Sequence, residues 1–441
     1  MGSPKVSKAI TVGIVDKFEK LTDLESSLAE LSRLLETLGI ETLGRVIQHK
    51  AAKSPQYKIG KGKLEELRET LYETRADLVV FDGDLTPGQA RNIQKELRVP
   101  VSDRTGIILD IFSQHARSRE SKLQIELARL EYSYSRLKRK WTHLHRQRGG
   151  YGSSFGEGET QLEVDRRITK SKIGQVRAKL EKIRKQREVR KKQRSNFFQV
   201  AIVGYTNSGK STLLNCMTES TALVQDKLFA TLDPTTRIIR PEEKPAILFS
   251  DTVGFIRKLP HHLVASFRST FEQIHDSDLL LHVVDVSDPQ YQQRILDTIE
   301  VLKELGLDEF PRMLILNKAD RIGGIRDVKS KMIRSIYPGS VLISARTKSG
   351  LTDLKAKIYN FFLSKMSEGS IRIAFGGERF LRDIYELTRV LETSFEEDSI
   401  HLRFRGATRD VDYLIEQLRQ NHVLLQMDCS PADPQGTRDS L

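Results

Sequence analysis

The sequence predicts a multidomain α/β protein with a long antiparallel helical hairpin built into it, and three patterns support that prediction. Short β-branched runs alternate with helical segments over the first hundred residues or so, as in a parallel sheet flanked by helices. Two heptad seams between residues 117 and 194 flank a glycine-rich stretch, the pattern of two helices folded back on each other. The apolar run Phe198–Val203 leads directly into a glycine-rich loop and a helix, the opening unit of a P-loop α/β domain. At about 100–200 residues per domain, 441 residues accommodate four parts. We expect an N-terminal parallel α/β domain at 1–116, the basic hairpin at 117–194, the P-loop domain at 195–365 and a small C-terminal α/β domain at 366–441.

Composition narrows the functional classes. A chain that is 38% hydrophobic with 28 Gly and 13 Pro is too apolar for wholesale disorder and lacks a low-complexity signature. Two cysteines, Cys216 and Cys429, cannot build a disulfide framework. No secretory apolar segment follows the basic N-terminus, so a cytoplasmic location is expected. No apolar run reaches the length of a membrane span. The net charge is +13, and residues 116–196 alone contribute 24 Lys and Arg against 9 Asp and Glu. The rest of the chain is therefore close to neutral. A basic excess confined to one stretch marks a surface for a polyanion, nucleic acid above all.

In the N-terminal part, strands are expected at 11–15, 43–48, 77–81 and 99–102, and helices at 24–38, 63–73 and 87–97. Gly60-Lys61-Gly62-Lys63 reads either as a phosphate contact or as a glycine turn followed by an exposed lysine. From Arg117 onward, Leu123, Leu127, Leu130, Tyr134, Leu137, Trp141 and Leu144 form the first seam. Leu162, Arg166, Thr169, Ile173, Val176, Leu180 and Ile183 form the second. Between them Arg148–Gly158 holds five glycines in eleven residues, more than a simple turn requires. A helix of about thirty residues rises roughly 45 Å, so the tip of the hairpin would stand clear of its base.

Gly204-Tyr205-Thr206-Asn207-Ser208-Gly209-Lys210-Ser211 matches G-x-x-x-x-G-K-S between an expected strand and an expected helix. In such a loop backbone N–H groups wrap phosphates, Lys210 meets the β- and γ-oxygens, and the Ser211 hydroxyl coordinates Mg²⁺. A strand at 247–250 ends in Asp251-Thr252-Val253-Gly254, where the carboxylate can hold magnesium through water and the glycine N–H can meet a γ-phosphate. Strands at 279–286 and 313–316 follow, the second ending in Asn317-Lys318-Ala319-Asp320. The Asp320 carboxylate can accept from N1–H and the N2 amino group of guanine, donors that adenine lacks. A further strand at 341–343 leads to Ser344-Ala345-Arg346, where a backbone N–H can reach guanine O6. The order of these elements is that of a GTP-binding domain. The first switch is expected in Phe229-Ala230-Thr231-Leu232-Asp233 and the residues after it, where Thr231, Thr235 and Thr236 are all candidate magnesium ligands. Phe255 stands where many GTPases place a glutamine that orients the attacking water. No catalytic side chain is therefore identified, and slow hydrolysis stimulated by a partner is expected. After residue 366, strand, helix, strand and helix are expected at 371–375, 380–391, 401–404 and 410–419, with a disordered tail at 431–441.

With these elements in place, the chain resembles the HflX family of GTPases, in the Obg–HflX group. The resemblance rests on Gly60–Lys63, on Asp103-Arg104-Thr105 with Ile108-Leu109-Asp110-Ile111-Phe112, and on Lys122-Leu123-Gln124-Ile125-Glu126-Leu127. Gly158-Glu159-Thr160-Gln161-Leu162-Glu163 with Asp165-Arg166-Arg167, Gly204–Thr212 and Phe229–Arg237 complete it. It implies the P-loop GTPase fold and favours Thr231 as the switch ligand of magnesium. It also implies a hairpin loop that enters the peptidyl-transferase region of the large ribosomal subunit, and splitting of stalled ribosomes by the GTP-bound protein. ATP binding and a secondary ATPase activity belong to the same implication, with Gly60–Lys63 as their candidate. The tip departs from the family by interspersing Tyr151 and Phe155 with serines. With Arg148, Gly149 and Gly150 they are the candidate rRNA contacts, since aromatic faces stack on unpaired bases. Large-subunit assembly or rRNA remodelling shares every one of these sequence features.

Overall fold

The computed structural model describes residues 7–15, 21–49, 54–138, 161–191, 197–218, 229, 235–239, 246–257, 274–396 and 398–431. They fall into two compact units, residues 1–185 with 225–233 and 256–270 forming the first and the remainder the second.

In the first unit, β1 (Lys8–Ile14), β2 (Glu41–Gln48), β3 (Leu78–Phe81) and β4 (Val101–Asp103) form a sheet of order β2-β1-β3-β4 in which every pair is parallel. The crossovers run through α1 (Leu21–Thr37), α2 (Lys61–Thr74) and α3 (Pro87–Leu97). Leu24, Leu28, Leu31 and Leu35 of α1 are buried, as their spacing requires. Thr86 starts α3 with a reciprocal capping box to Gln89, and Pro87 occupies the first turn.

One helix was not expected from the sequence. α4 (Arg104–His115) begins at Asp103, whose carboxylate accepts from Gly106 N–H at 3.0 Å. The side chains of Ile107, Ile108, Leu109, Ile111 and Phe112 are all buried. A helix covered on most sides loses the polar face that makes helical periodicity readable. The motif residue Arg104 lies in the same place, 2% exposed, at 2.7 Å from Asp82 and 3.0 Å from Glu30. Asp103 also accepts from the Tyr132 hydroxyl at 2.6 Å, and Thr105 donates to Asp84 at 2.8 Å.

The hairpin arms are α5 (Arg119–Lys138) and α6 (Gln161–Lys191). Leu123 and Leu127 pack with Ile173 and Val176, flanked by Leu130, Tyr134, Leu180 and Ile183, so residues of the two seams meet. Arg166, polar at a seam position, donates to the Tyr134 hydroxyl at 3.3 Å with its guanidinium over the ring. Trp141, Leu144 and the tip candidates Arg148, Gly149, Gly150, Tyr151 and Phe155 lie outside the described residues.

The second unit holds two sheets. β5 (Phe198–Val203), β6 (Thr235–Ile239), β7 (Ile247–Asp251), β8 (Leu279–Asp285), β9 (Arg312–Asn317) and β10 (Val341–Leu342) have the order β10-β9-β8-β5-β7-β6. Only β6 runs antiparallel, against β7. The described helices around this sheet are α7 (Lys210–Thr218), α8 (Tyr291–Glu304), α9 (Val328–Ile336) and α10 (Leu351–Leu363). Phe198, Val200, Ile202, Leu281 and Val283 pack with Leu214, Leu354, Ile358 and Phe362 in its largest core.

The remaining chain is β11 (Met366–Ala374), α11 (Leu381–Leu387), β12 (Thr388–Phe395), β13 (Ser399–Ala407), α12 (Thr408–Gln420) and β14 (Leu424–Pro431), with sheet order β12-β13-β11-β14. This is a β-α-β-β-α-β unit with an antiparallel sheet. Two strands are additional to the sequence reading. The expected helix at 380–391 stops at Leu387 and Thr388–Phe395 pairs with β13, because Leu387, Val390 and Leu391 imitate a helical period while belonging to two elements. β14 pairs along β11 through Pro431, where a disordered tail was expected to begin; residues 432–441 lie outside the described residues.

Candidate functional site

Within the six-stranded sheet, Gly204, Asp251, Asp285, Asn317 and Ser344 all fall at or just beyond the carboxyl ends of strands, the edge at which open α/β sheets bind ligands. The loop after β5 is held by backbone geometry. Gly204 has φ +144°, and a Cβ there would lie 2.2 Å from the Val283 carbonyl oxygen. Gly209 has φ +94°, and a Cβ would lie 2.2 Å from Asn317 Nδ2. A side chain at Gly204 would press on the β8 backbone, and one at Gly209 would displace the Asn317 amide; both glycines also have a left-handed or strained φ that L side chains rarely adopt. Gly209 leads into α7, whose first residue is Lys210.

Lys210 is buried, and its ammonium group donates to the carbonyls of Tyr205 at 2.7 Å and Gly204 at 3.1 Å. Burial pushes its pKa down to about 8, with the Asp251 carboxylate opposing the shift. Ser211 donates to Asp251 at 2.6 Å, which joins the candidate cation ligand of α7 to the carboxylate ending β7. Among the described residues there is no cluster of three or more His, Cys, Asp or Glu suited to a metal. A hydroxyl beside one carboxylate instead suits Mg²⁺ that takes its other ligands from water and phosphate oxygens. A Cβ on Gly254 would meet Thr206 Cγ2 at 2.8 Å and Lys210 Nζ at 2.9 Å, so this glycine keeps the space over the lysine clear. Ser208 Oγ is buried within the loop and has no hydrogen-bond partner among the described residues.

The segment after Gly254 is anchored. Phe255 N–H donates to Gly204 O at 3.0 Å, and Thr206 N–H donates to Phe255 O at 2.8 Å. The Phe255 side chain is 1% exposed, so this residue serves packing and offers no polar group to a water. Thr252 donates to Ile202 O at 2.7 Å, and Val253 is buried.

The base-reading motif is tied to the phosphate loop. Asn317 donates to Ser208 O at 2.9 Å and accepts from Ala345 N–H at 3.0 Å. Lys318, at φ 64°, donates to Asn207 O at 2.7 Å and pairs with Asp285 at 2.7 Å. Asp320 accepts from the Ser344 hydroxyl at 2.6 Å. Ala319 and Ala345 are buried, and Arg346 is exposed. Three participants were missed in the sequence. Asp285 ends an apolar strand outside any motif, and Arg294 and Asp297 hold the motif residue Tyr205, the guanidinium lying 4.2 Å over its ring and the carboxylate accepting from its hydroxyl at 3.1 Å.

Of the first switch, Phe229 is described. It is buried at φ 57° and packs edge-on against Phe112, 4.6 Å between centroids. Ala230, Thr231, Leu232 and Asp233 lie outside the described residues. The alternative ligands Thr235 and Thr236 are exposed in β6, with the Thr236 hydroxyl 3.2 Å from that of Ser250. In the first unit, Gly60 precedes α2 and its N–H donates to Gln48 Oε1 at 2.8 Å, while Lys63 pairs with Glu66 at 2.6 Å.

A sheet parallel but for its edge strand β6, a glycine-framed loop with a buried lysine, and Asn317-Lys318-Ala319-Asp320 tied to that loop together define a P-loop GTPase. Three family models match the chain. They are the GTP-binding GTPase N-terminal model at residues 25–113, the GTP-binding GTPase middle region at 115–194, and the 50S ribosome-binding GTPase model at 199–318. GTPase HflX of Escherichia coli is 40% identical over 408 residues, covering 91% of this chain and 94% of that one. GTPase HflX of Caldanaerobacter subterraneus is 42% identical, covering 90% of each chain. A solved GTP-binding protein of Sulfolobus solfataricus in complex with GDP is 26% identical and covers 79% of this chain and 97% of that one, with a TM-score of 0.42. The chain belongs to the HflX family of GTPases. Among the described residues no helix is long and apolar enough to cross a membrane.

Proposed function

We propose that this chain is a GTP-hydrolysing factor that binds the large ribosomal subunit and splits stalled ribosomes in the cytoplasm. The phosphates lie along Gly204–Ser211, with the Lys210 ammonium turning from the Gly204 and Tyr205 carbonyls toward the β- and γ-oxygens. Ser211, together with Thr231, would hold Mg²⁺, and Asp251 would orient its water ligands; bound there, the ion would supply positive charge against the β- and γ-phosphates. Asp320 reads the guanine edge and Ala345 N–H lies near O6. The γ-phosphate recruits Gly254 N–H and the 229–233 segment, and hydrolysis releases both.

Phe255 cannot orient the attacking water, so the ribosome supplies or induces that group and stimulates turnover. The basic hairpin enters the large subunit, where Arg148, Gly149 and Gly150 contact backbone phosphates and Tyr151 and Phe155 stack on exposed rRNA bases. One observation supports this reading above others: a complete guanine-nucleotide motif set shares the chain with a segment of net charge +15, residues 116–196. The match of residues 199–318 to a family model of 50S ribosome-binding GTPases agrees with it. Sucrose-gradient sedimentation of intact ribosomes with the protein and a non-hydrolysable GTP analogue tests it. We expect free subunits with the analogue and intact ribosomes with GDP; intact ribosomes in both would reject splitting and leave subunit assembly as the role.

A further inference from the structure

The nucleotide motifs leave one face of the six-stranded sheet unused. There, α8, the end of α9 and residues 337–340 line a cavity of 890 Å³ over β8 and β9, none of whose lining residues belongs to the phosphate loop or to Asn317–Asp320. Its volume is within the range of small-molecule sites. The inner lining is apolar, with Leu279, Ile295, Ile299 and Leu314, and Leu296 and Ile336 form exposed apolar lips.

Gln292, Tyr337 and Ser340 add polar groups to the lining, and two further groups, His282 and Arg312, stand out in it. His282 lines the cavity from β8, is 2% exposed, and its Nε2 has no hydrogen-bond partner among the described residues. Burial, assisted by the neighbouring Arg312 charge, pushes the imidazole pKa down to about 3, so the ring is neutral at physiological pH and Nε2 can exchange one hydrogen bond with a ligand. Arg312 opens β9 at the cavity wall, is exposed, and makes no ion pair or hydrogen bond among the described residues.

We propose that this cavity binds a small apolar molecule carrying a carboxylate. Its body lies between α8 and the end of α9, one polar atom meets His282 Nε2, and the carboxylate meets Arg312. Leu296 and Ile336 cover the body at the mouth. An unpaired imidazole at the floor and an unpaired guanidinium at the rim select an amphipathic monoanion over either a neutral hydrocarbon or a polyphosphate. The site is independent of the ribosomal reading, since it uses none of the same residues.

The probe is para-hydroxyphenylpropionate, titrated into the full-length protein while the His282 imidazole resonances are followed by NMR. We expect a saturable shift with a midpoint below about 5 mM, typical for so small a ligand. The corresponding amide, which lacks the charge, should bind about tenfold more weakly. R312Q should weaken the carboxylate by a similar factor and leave the amide unchanged. L296E, a change at an exposed position, should abolish both, with unchanged GDP affinity showing that the variants are folded. An absence of saturable change at His282, or binding indifferent to L296E, would overturn the site. Equal binding of acid and amide would overturn the carboxylate assignment. Saturable binding of a leucine-rich amphipathic helical peptide with none of either small probe would overturn the small-molecule reading in favour of a protein partner.

Discussion

Lys210 is a cation folded back on two carbonyls in a buried pocket, and its role can be tested through its protons. In the free protein it loses its charge as pH rises through about 8, whereas bound phosphate holds it protonated. Binding above that pH therefore takes up a proton, and affinity for GDP should fall by up to tenfold per pH unit between about pH 8 and 10. Fluorescence titration across that range checks this; a flat profile would contradict the phosphate contact. Lys210→Ala should abolish nucleotide-dependent action, with GTP affinity reduced by at least about a hundredfold. Asp320→Asn should cost about 1–3 kcal/mol of GTP binding and narrow the preference over ATP, measurable by competition. The proposed role of Asp320 rests on the sequence motif, since guanine offers two adjacent donors to a carboxylate. The bond from Asn317 to Ser208 and the ion pair of Lys318 with Asp285 were not legible in the sequence, because they link residues about a hundred and about thirty positions apart with no shared periodicity.

Elements were legible where burial is one-sided. α1 and α3 have apolar stripes, and the hairpin arms have heptads, so their types were readable; α3 has the expected bounds and the ends of α1 differ by up to three residues. α4 is apolar on most faces, and β14 is an exposed edge strand ending in proline; neither presents the alternation that marks its type. The motif Asp103-Arg104-Thr105 was recognisable without its reason being visible. That reason is a buried Arg104 compensated by Asp82 and Glu30 at the start of α4. Glu30 also accepts from Arg257 N–H at 3.1 Å, three residues beyond Gly254. Removing the guanidinium strands two buried carboxylates, so Arg104→Ala should destabilise the first unit by about 3–5 kcal/mol. Thermal melting would check this, an unchanged transition contradicting it. Replacing Arg148–Gly158 by a short turn should leave GDP binding intact and remove stimulation of turnover by large subunits. Stimulation that survives the replacement would assign the sensing to another part of the chain.

Across the whole molecule, positive charge is concentrated in one window, while the remaining residues are close to neutral. A surface of that kind binds a polyanion by releasing its counterions, so affinity for ribosomal subunits should fall steeply as salt is raised. GTP binding, resting on enclosed contacts, should respond far less. The most direct measurement is co-sedimentation of the full-length protein with purified large subunits, in GTP analogue and in GDP, with and without the Arg148–Gly158 replacement. We expect binding with the analogue that is lost both in GDP and on replacement of the tip. Equal binding in both nucleotides, or binding that survives replacement of the tip, would contradict a nucleotide-controlled hairpin that engages ribosomal RNA.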